Sequence, residues 1–496
     1  MKKMKRYSPL VMLFDLGKLL RNSFFFVFFL YVVKADSDSS FIKYGKIVFL
    51  LAVGFTLFSI VYKWLTHKYE LDNKAFHLYK GLLIKSERTI PLSKIQNIQR
   101  HTSLFHRMVK MTSIQFETVM TDENAKIKFE VISQAEADWM EVYLKNKEPV
   151  ADYQMYEFDN PETERQNSNR MIHFHATKKD ILKASFSSLS FLVLIPLISS
   201  FYYKIDEIFH VEDTAEGFFD KLISSWWIVT IIVIVLVIAS ATFGIVRTYL
   251  KYGKSEISSD SNHIYITRGV INETAFSISK DRVQAIEMEQ SWMKRLLGLV
   301  KVKLTSAGSL SYGEDTLEVN TLYPFLPVNK ANEIVSEILP SYMITQDMIR
   351  LPERSFWLRL LWPSWLWALA TGALYYLEPI IWNVEQSWMI LSAVFLICIL
   401  ISRLLDFSHS SYRINDQFIQ FKKGVFTTSL FVSKREKIIE VKVRRNIIQK
   451  VLGLASIETI NRGKPVQHSG LDDVPLEFAH SFLNWYVKRK NEIKVE

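Results

Sequence analysis

The chain has 496 residues, of which 14% are aromatic and 23% charged, and its net charge is +10. The lone cysteine, Cys398, excludes an intramolecular disulfide and any site built from several thiolates. So aromatic a chain with an ordinary share of charge must keep its apolar and charged residues in separate blocks, and it does.

In chain order, Met1–Arg6 is basic, and the apolar segment beyond it holds Asp15, Lys18 and Arg21. No small-residue cleavage site follows, so the segment is read as retained. A helix needs about 20 apolar residues to cross the hydrocarbon core. Phe24–Val33 is too short alone, and spans only if the helix starts near Leu16 with Lys18 and Arg21 reaching back to the interface. The alternative is an interfacial amphipathic helix. Ile47–Leu65 is long enough, which makes residues 1–65 a first transmembrane hairpin.

Residues 66–148 form a first polar domain, and 149–183 a linker containing the close pair His173 and His175. Two apart on a strand, these could share a face and bind a metal. No third ligand stands at a suitable spacing, so no metal site is expected. Ala184–Tyr203 and Trp226–Val246 make a second hairpin, 184–250, followed by a second domain, 251–341, and a linker, 342–355. Phe356–Leu377, interrupted by Pro363, and Trp388–Leu405 make the third hairpin, 356–406, and 407–490 the third domain. Proline is tolerated in such helices.

The loop Lys204–Lys221 is acidic, and the loop with Glu378 and Glu385 holds no Lys or Arg. The opposite ends carry Lys178, Lys179, Lys183, Arg247, Lys251 and Lys254, with Arg354, Arg359 and Arg403 around the last pair. Positive residues stay inside, so the N-terminus and all three domains are expected in the cytoplasm of a multi-pass cell-membrane protein. Lys34–Lys46, with three lysines and two aspartates, carries the weakest version of this signal.

The three domains repeat one pattern. From Gly81, Gly269 and Gly424, the apolar residues Ile95, Val283 and Ile438 follow after 14 positions, and Lys110, Gly298 and Gly453 after 29. Upstream lie strand-like segments with Asp72-Asn73, Ser259-Asp260 and Asn415-Asp416 turns. Ser103, Ser291 and Asn446 share one position and suit a helix N-cap. Gly298 and Gly453 suit the left-handed residue that ends the helix. A left-handed lysine at 110 would cost about 1 kcal/mol, so a different ending is expected there. Trp292 and Leu296, or Ile447 and Val451, share one face of this helix. Strands resume in Ser113–Glu117, Lys301–Thr305 and Ser456–Ile460. Amphipathic helices close each unit: Ala135–Lys145 with Trp139, Tyr143 and Leu144; Lys330–Ile338; and Leu476–Lys488 with Phe478, Phe482, Trp485 and Tyr486. Antiparallel strands followed by one helix predict three pleckstrin-homology (PH)-like β-barrels, each closed by its C-terminal helix.

These residues resemble the bacterial PH domain of the second type. The resemblance rests on Ser279-Lys280, Val283, Ile286 and Leu296-Leu297-Gly298-Leu299, and on Ser433-Lys434, Ile438, Val441 and Val451-Leu452-Gly453-Leu454. Ser93-Lys94-Ile95-Gln96-Asn97-Ile98 carries it in the first repeat, without the closing glycine. The whole chain is similar to the YdbT-type membrane proteins of Gram-positive bacteria. That resemblance implies no enzyme activity, no catalytic residue and no cofactor. It implies a homo-oligomer or a complex with a smaller membrane protein bearing one such domain, and a loose link to envelope protection against membrane-active peptides.

No phosphate-cradling loop, zincin helix or nucleophile elbow is present in the sequence. Lys94, Arg282 and Lys437 align, as do Arg107, Arg295 and Lys450, and these six are candidate lipid-facing cations. The plainer reading is solvated charge beside a strand. The basic run from Arg435 to Arg445 is interrupted by acids and lies beside a membrane, which argues against nucleic acid. No expected span carries a charge at its centre, so the spans read as anchors. The expectation is a non-enzymatic scaffold at the membrane, whose lipids are its constant partners; the alternative is transport or lipid handling along a path between helix pairs.

Overall fold

A long apolar helix runs almost directly into a domain's first strand at each repeat, so the membrane segments and the sheets form one continuous path. The computed structural model describes residues 4–35, 39–72, 74–81, 85–118, 126–146, 170–187, 226–306, 320–361, 365–377, 379, 386–463 and 466–488. The chain divides into two units, residues 1–168 with 271–277, and residues 169–270 with 278–496.

In the first unit, β1 (Lys5–Arg6) precedes α1 (Leu10–Phe28), which continues as a π-helical turn, Phe29–Val33. Then α2 (Ser40–Thr66) passes through His67 into β2 (Lys68–Leu71). The strands β1, β2, β3 (Ala75–Lys80) and β4 (Ser86–Pro91) form a four-stranded antiparallel sheet. β5 (Ile95–Thr102), α3 (Leu104–Met108), β6 (Met111–Thr118) and β7 (Lys126–Ser133) follow, with β6 central. Phe76, Ile90, Ile114, Phe116 and Phe129 fill the core.

The closing helix α4 (Gln134–Asn146) buries Ala137 and Met140 there, with Leu144 packed alongside. Trp139, expected on that apolar face, is instead 37% exposed and stacks on Tyr143 with ring centres 5.4 Å apart. The spacing 137, 140 and 144 is the helical stripe that meets the core, and position 139 falls off it.

In the second unit, β8 (Met171–His175) and α5 (Lys178–Ser187) precede α6 (Trp226–Tyr252). Most of the expected span Ala184–Tyr203 lies outside the described residues, as does Pro363. After α6 come β9 (Glu256–Ser259), β10 (His263–Arg268), β11 (Glu273–Ser279), β12 (Val283–Gln290), α7 (Trp292–Leu296), β13 (Leu299–Ser306), β14 (Leu326–Pro327) and α8 (Val328–Ile338). The third repeat has β15 (Ile349–Arg350), α9 (Glu353–Leu361), α10 (Trp365–Leu377), α11 (Ser387–His409), β16 (Ser411–Ile414), β17 (Phe418–Lys423) and β18 (Thr428–Lys434). It ends with β19 (Ile438–Arg444), α12 (Ile447–Leu452), β20 (Leu454–Asn461), β21 (Gln467–Pro475) and α13 (Leu476–Val487).

Among the described residues, three helices are long and apolar enough to cross a membrane: Leu10–Val33, Ser40–Thr66 and Ser387–His409. The expected closed barrels are open sheets. One seven-stranded sheet runs β14-β13-β12-β18-β17-β16-β15, and a three-stranded sheet runs β19-β20-β21. The edge of β18 is occupied by β12, which leaves no edge on that side for a third-repeat strand to close. The two sheets of the third domain instead enclose a common core, with Phe421 and Phe431 facing Ile457 and Leu471. Phe482 and Trp485 of α13 close it. The Trp485 indole donates to the carbonyls of Asn415 and Asp416, 2.7 and 3.0 Å away, which fixes the turn before β17.

Candidate functional site

Two surfaces recur from repeat to repeat. The first is the joint between the second and third repeats. β12 and β18 pair antiparallel from Ala285–Ser433 to Gln290–Thr428. Ala285, Ile286, Val432 and Ser433 are all fully buried there. The Ser429 hydroxyl donates to Glu287 at 2.7 Å, and the Ser433 hydroxyl to the Gln284 carbonyl at 3.0 Å. A strand added to a sheet edge gains main-chain hydrogen bonds along its length, and pairs such as these set the register.

The sequence places Arg295 and Lys437 among the lipid-facing candidates, but both have partners in this joint. Arg295 donates to Thr428 at 3.2 Å and lies 3.1 Å from His409 Nε2, and Lys437 donates to the Asp281 carbonyl at 3.1 Å. The corresponding Arg107 lies 3.5 Å from Glu273 within the first unit, where His101 Nδ1 also lies 3.0 Å from the Thr274 hydroxyl. In repeat numbering His101 and Thr274 are the positions of Glu289 and Ser429, a pair in the β12–β18 register. Lys94 and Lys450 are exposed, and Arg282 is half-buried.

The second surface is the short capped helix. Ser103, Ser291 and Asn446 each accept from the backbone N–H three residues on. His106 and Gln449 reach back to complete capping boxes. Gly298 and Gly453 end their helices at φ +65° and +68°, and Lys110 does the same at +53°. The expectation of a different ending there fails, because the pattern around it imposes the turn on a residue that resists it. Gly81, Gly269 and Gly424 take φ +86°, +97° and +125°, and a Cβ at Gly424 would lie 2.0 Å from the Thr427 carbonyl oxygen. Val283 and Ile438 are buried, and Ile95 packs against the first core.

On each short helix two apolar side chains stand in the open: Leu104 and Met108, Trp292 and Leu296, Ile447 and Val451, all more than half exposed. Each of these helices lies beside the start of a helix pair. Phe14 of α1 packs on His106 in a tilted pair with ring centres 4.8 Å apart, α5 packs on α7, and α9 on α12. Lys18 of α1 meets Glu130 of β7 at 2.5 Å.

His173 and His175 do not share a face. A register shift between Ile172 and Phe174 breaks the alternation. His173 is bonded through both ring nitrogens, to Glu337 at 2.6 Å and Ser259 at 2.9 Å, while His175 is exposed. No group of metal-ligating side chains occurs among the described residues. Missed in the sequence was Arg359, which stands where the third helix pair meets β21; only its position at a span end hinted at it.

The bacterial PH domain family profile matches residues 23–147, 193–341 and 361–490. The UPF0699 transmembrane protein YdbT of Bacillus subtilis (strain 168) is 23% identical over 501 residues, covering 98% of each chain. No solved structure matches significantly. With apolar helices, one pattern written three times and a profile that covers well over half its length, the chain belongs to the bacterial PH domain family, as a membrane protein with repeated domains.

Proposed function

We propose that the protein is a non-enzymatic scaffold that holds PH-like domains against the cytoplasmic face of the membrane for assembly with copies of itself or a partner. Six spans in three hairpins complete the anchor, with the domains at 66–148, 251–341 and 407–490. The observation that carries this reading is the β12–β18 ladder, in which one repeat adds its strands to the next and so uses its sheet edge as a binding element. The exposed apolar pairs on α3, α7 and α12 fit a seat in the membrane interface, where Trp292 suits the aromatic belt. Lys94, Arg282 and Lys450 would meet anionic headgroups there. Linked domains raise avidity through effective concentration. An assembly of this kind, spread on the inner surface, would serve protection of the envelope against membrane-active peptides.

Transport or lipid handling is the second reading, since it calls for polar groups facing one another between spans. Thr371 and Ser392 meet at 2.7 Å between α10 and α11, and the Trp367 indole donates to the Ser392 carbonyl at 3.2 Å. These groups satisfy one another, as packing contacts between membrane helices do, so they favour anchoring over a path. Purification in mild detergent tests the scaffold: a stable oligomer or partner is expected, and a lone monomer at every concentration would refute it.

A further inference from the structure

Strand β19 occupies in the third repeat the place that β12 occupies in the second, 155 positions earlier. β12 lies between β13 and β18, whereas β19 pairs with β20 and, among the described residues, with no strand on its other side. Ala285, Ile286 and Met288 are buried under β18, while Val443, the counterpart of Met288, is 38% exposed. We propose that β19 takes up an antiparallel extended strand from a protein other than this one, carrying carboxylates opposite Lys442, Arg444 and Arg445. This deepens the scaffold reading and rests on it.

The charge of the edge carries the argument. In β12 the polar positions facing β18 are Glu287 and Glu289, opposite Phe431 and Ser429, and the Ser429 hydroxyl donates to Glu287. The same positions in β19 are Lys442 and Arg444, followed by Arg445 where β12 has Gln290. The sign is inverted, so a strand that fits β19 must be inverted too. Lys442 and Arg444 have carboxylates of their own chain nearby, Glu440 at 3.7 Å and Glu458 at 3.3 Å. Arg445 donates to the Leu454 and Lys450 carbonyls at 3.1 and 3.3 Å and keeps its charge there; with Lys423 and Lys450 close in sequence or space it outweighs Asp472, and the edge stays basic.

The register also disfavours the matching strand of a second copy of this chain. The strand of the first repeat that corresponds to β18 is β4, and among the described residues its far edge is likewise unpaired. Set on β19 in the β12–β18 register, it would bring Arg88 opposite Lys442 and Lys85 opposite Arg445. Like charges directly opposed destabilise a sheet. Tyr486 marks where the edge begins: its hydroxyl donates to the Ile439 carbonyl, the position at which the Gln284 carbonyl takes the Ser433 hydroxyl. The stretch open to a partner is therefore 440–445. A basic edge can also serve only to block unwanted pairing, and the experiment separates the two.

The whole protein in detergent micelles is titrated with two synthetic peptides. One copies residues 428–434 with glutamate at the positions of Thr428, Ser429 and Phe431; the other copies residues 85–91. The acidic peptide should bind roughly tenfold more tightly, the size expected of a few cross-strand ion pairs. Lys442→Glu with Arg444→Glu should reverse the order. In a Cys398→Ser background, Val443→Cys should form a disulfide with a peptide cysteine at the position of Leu430 and not at that of Val432. No binding, equal binding, or cross-linking without regard to register overturns the inference. If the protein still assembles in mild detergent, only the assignment of β19 falls; if it recovers neither oligomer nor partner, the scaffold reading falls whatever the peptides do.

Discussion

Arg359 Nε lies 3.1 Å from Asp473 Oδ2, tying the start of the third helix pair to β21. The same guanidinium meets Asp406 of α11 at 2.8 Å and donates to the Asp472 carbonyl at 3.0 Å. Asp473 is buried at φ +61° and also accepts from Gln449 at 2.8 Å. Removing one partner of a buried pair leaves a carboxylate without its cation, a loss of about 3 kcal/mol. Arg359→Met should therefore weaken hydrogen-exchange protection throughout β20 and β21, and a second change, Asp473→Asn, should restore much of it. Unaltered protection in the single variant would show that the pair contributes nothing.

Lys110 sits where the other repeats have glycine, at φ +53°. Lys110→Gly should stabilise the first domain by about 1 kcal/mol, because the left-handed conformation no longer crowds a Cβ. The reciprocal change, Gly298→Ala, meets no atom within 4 Å and so isolates the backbone cost in the second domain, with the opposite sign. Chemical denaturation of both variants reads the pair, and two shifts of the same sign would contradict the account.

His106 is fully buried, between Ser103 Oγ at 2.7 Å and the Glu130 carbonyl at 2.9 Å. Burial lowers its pKa, helped by Lys128 and Lys18 and opposed by Glu130. A histidine whose folded pKa is depressed adds stability that is complete above its ordinary value near 6.5 and is lost as pH falls through the folded value. Thermal unfolding of the first domain should thus move to lower temperature below about pH 6.5. His106→Gln should flatten that dependence; an identical pH profile in the variant would assign the effect to another group.

Met108, Leu296 and Val451 are the second members of the exposed apolar pairs. Spin labels at Met108→Cys, Leu296→Cys and Val451→Cys, each in a Cys398→Ser background reconstituted in bilayers, should report the depth of the headgroup region. A label at Glu333→Cys on α8 should report water. Three aqueous readings would remove the interfacial seat of the short helices.

The short helices were readable because a cap, two apolar residues and a left-handed terminus stand at fixed intervals, each with a local physical cause. The partner of a sheet edge has no such local signature. Nothing in the alternation of β18 says that β12 of the preceding repeat lies beside it, so a closed barrel was the natural expectation. The partners of Arg295 and Lys437 were hidden for the same reason: an aligned cation shows recurrence, while its partner, Thr428 or Asp281, belongs to a neighbouring repeat. Trp139 misled through its size, since Met140 beside it holds the place in the core.

Between α2 and β2 there is one residue, His67, and between α11 and β16 one residue, Ser410. Such a junction has no slack. A rod that turns or leans within the lipid carries its attached sheet along, as a shaft carries a vane. A change of hydrocarbon thickness that a helix meets by tilting would therefore turn the attached sheet with it.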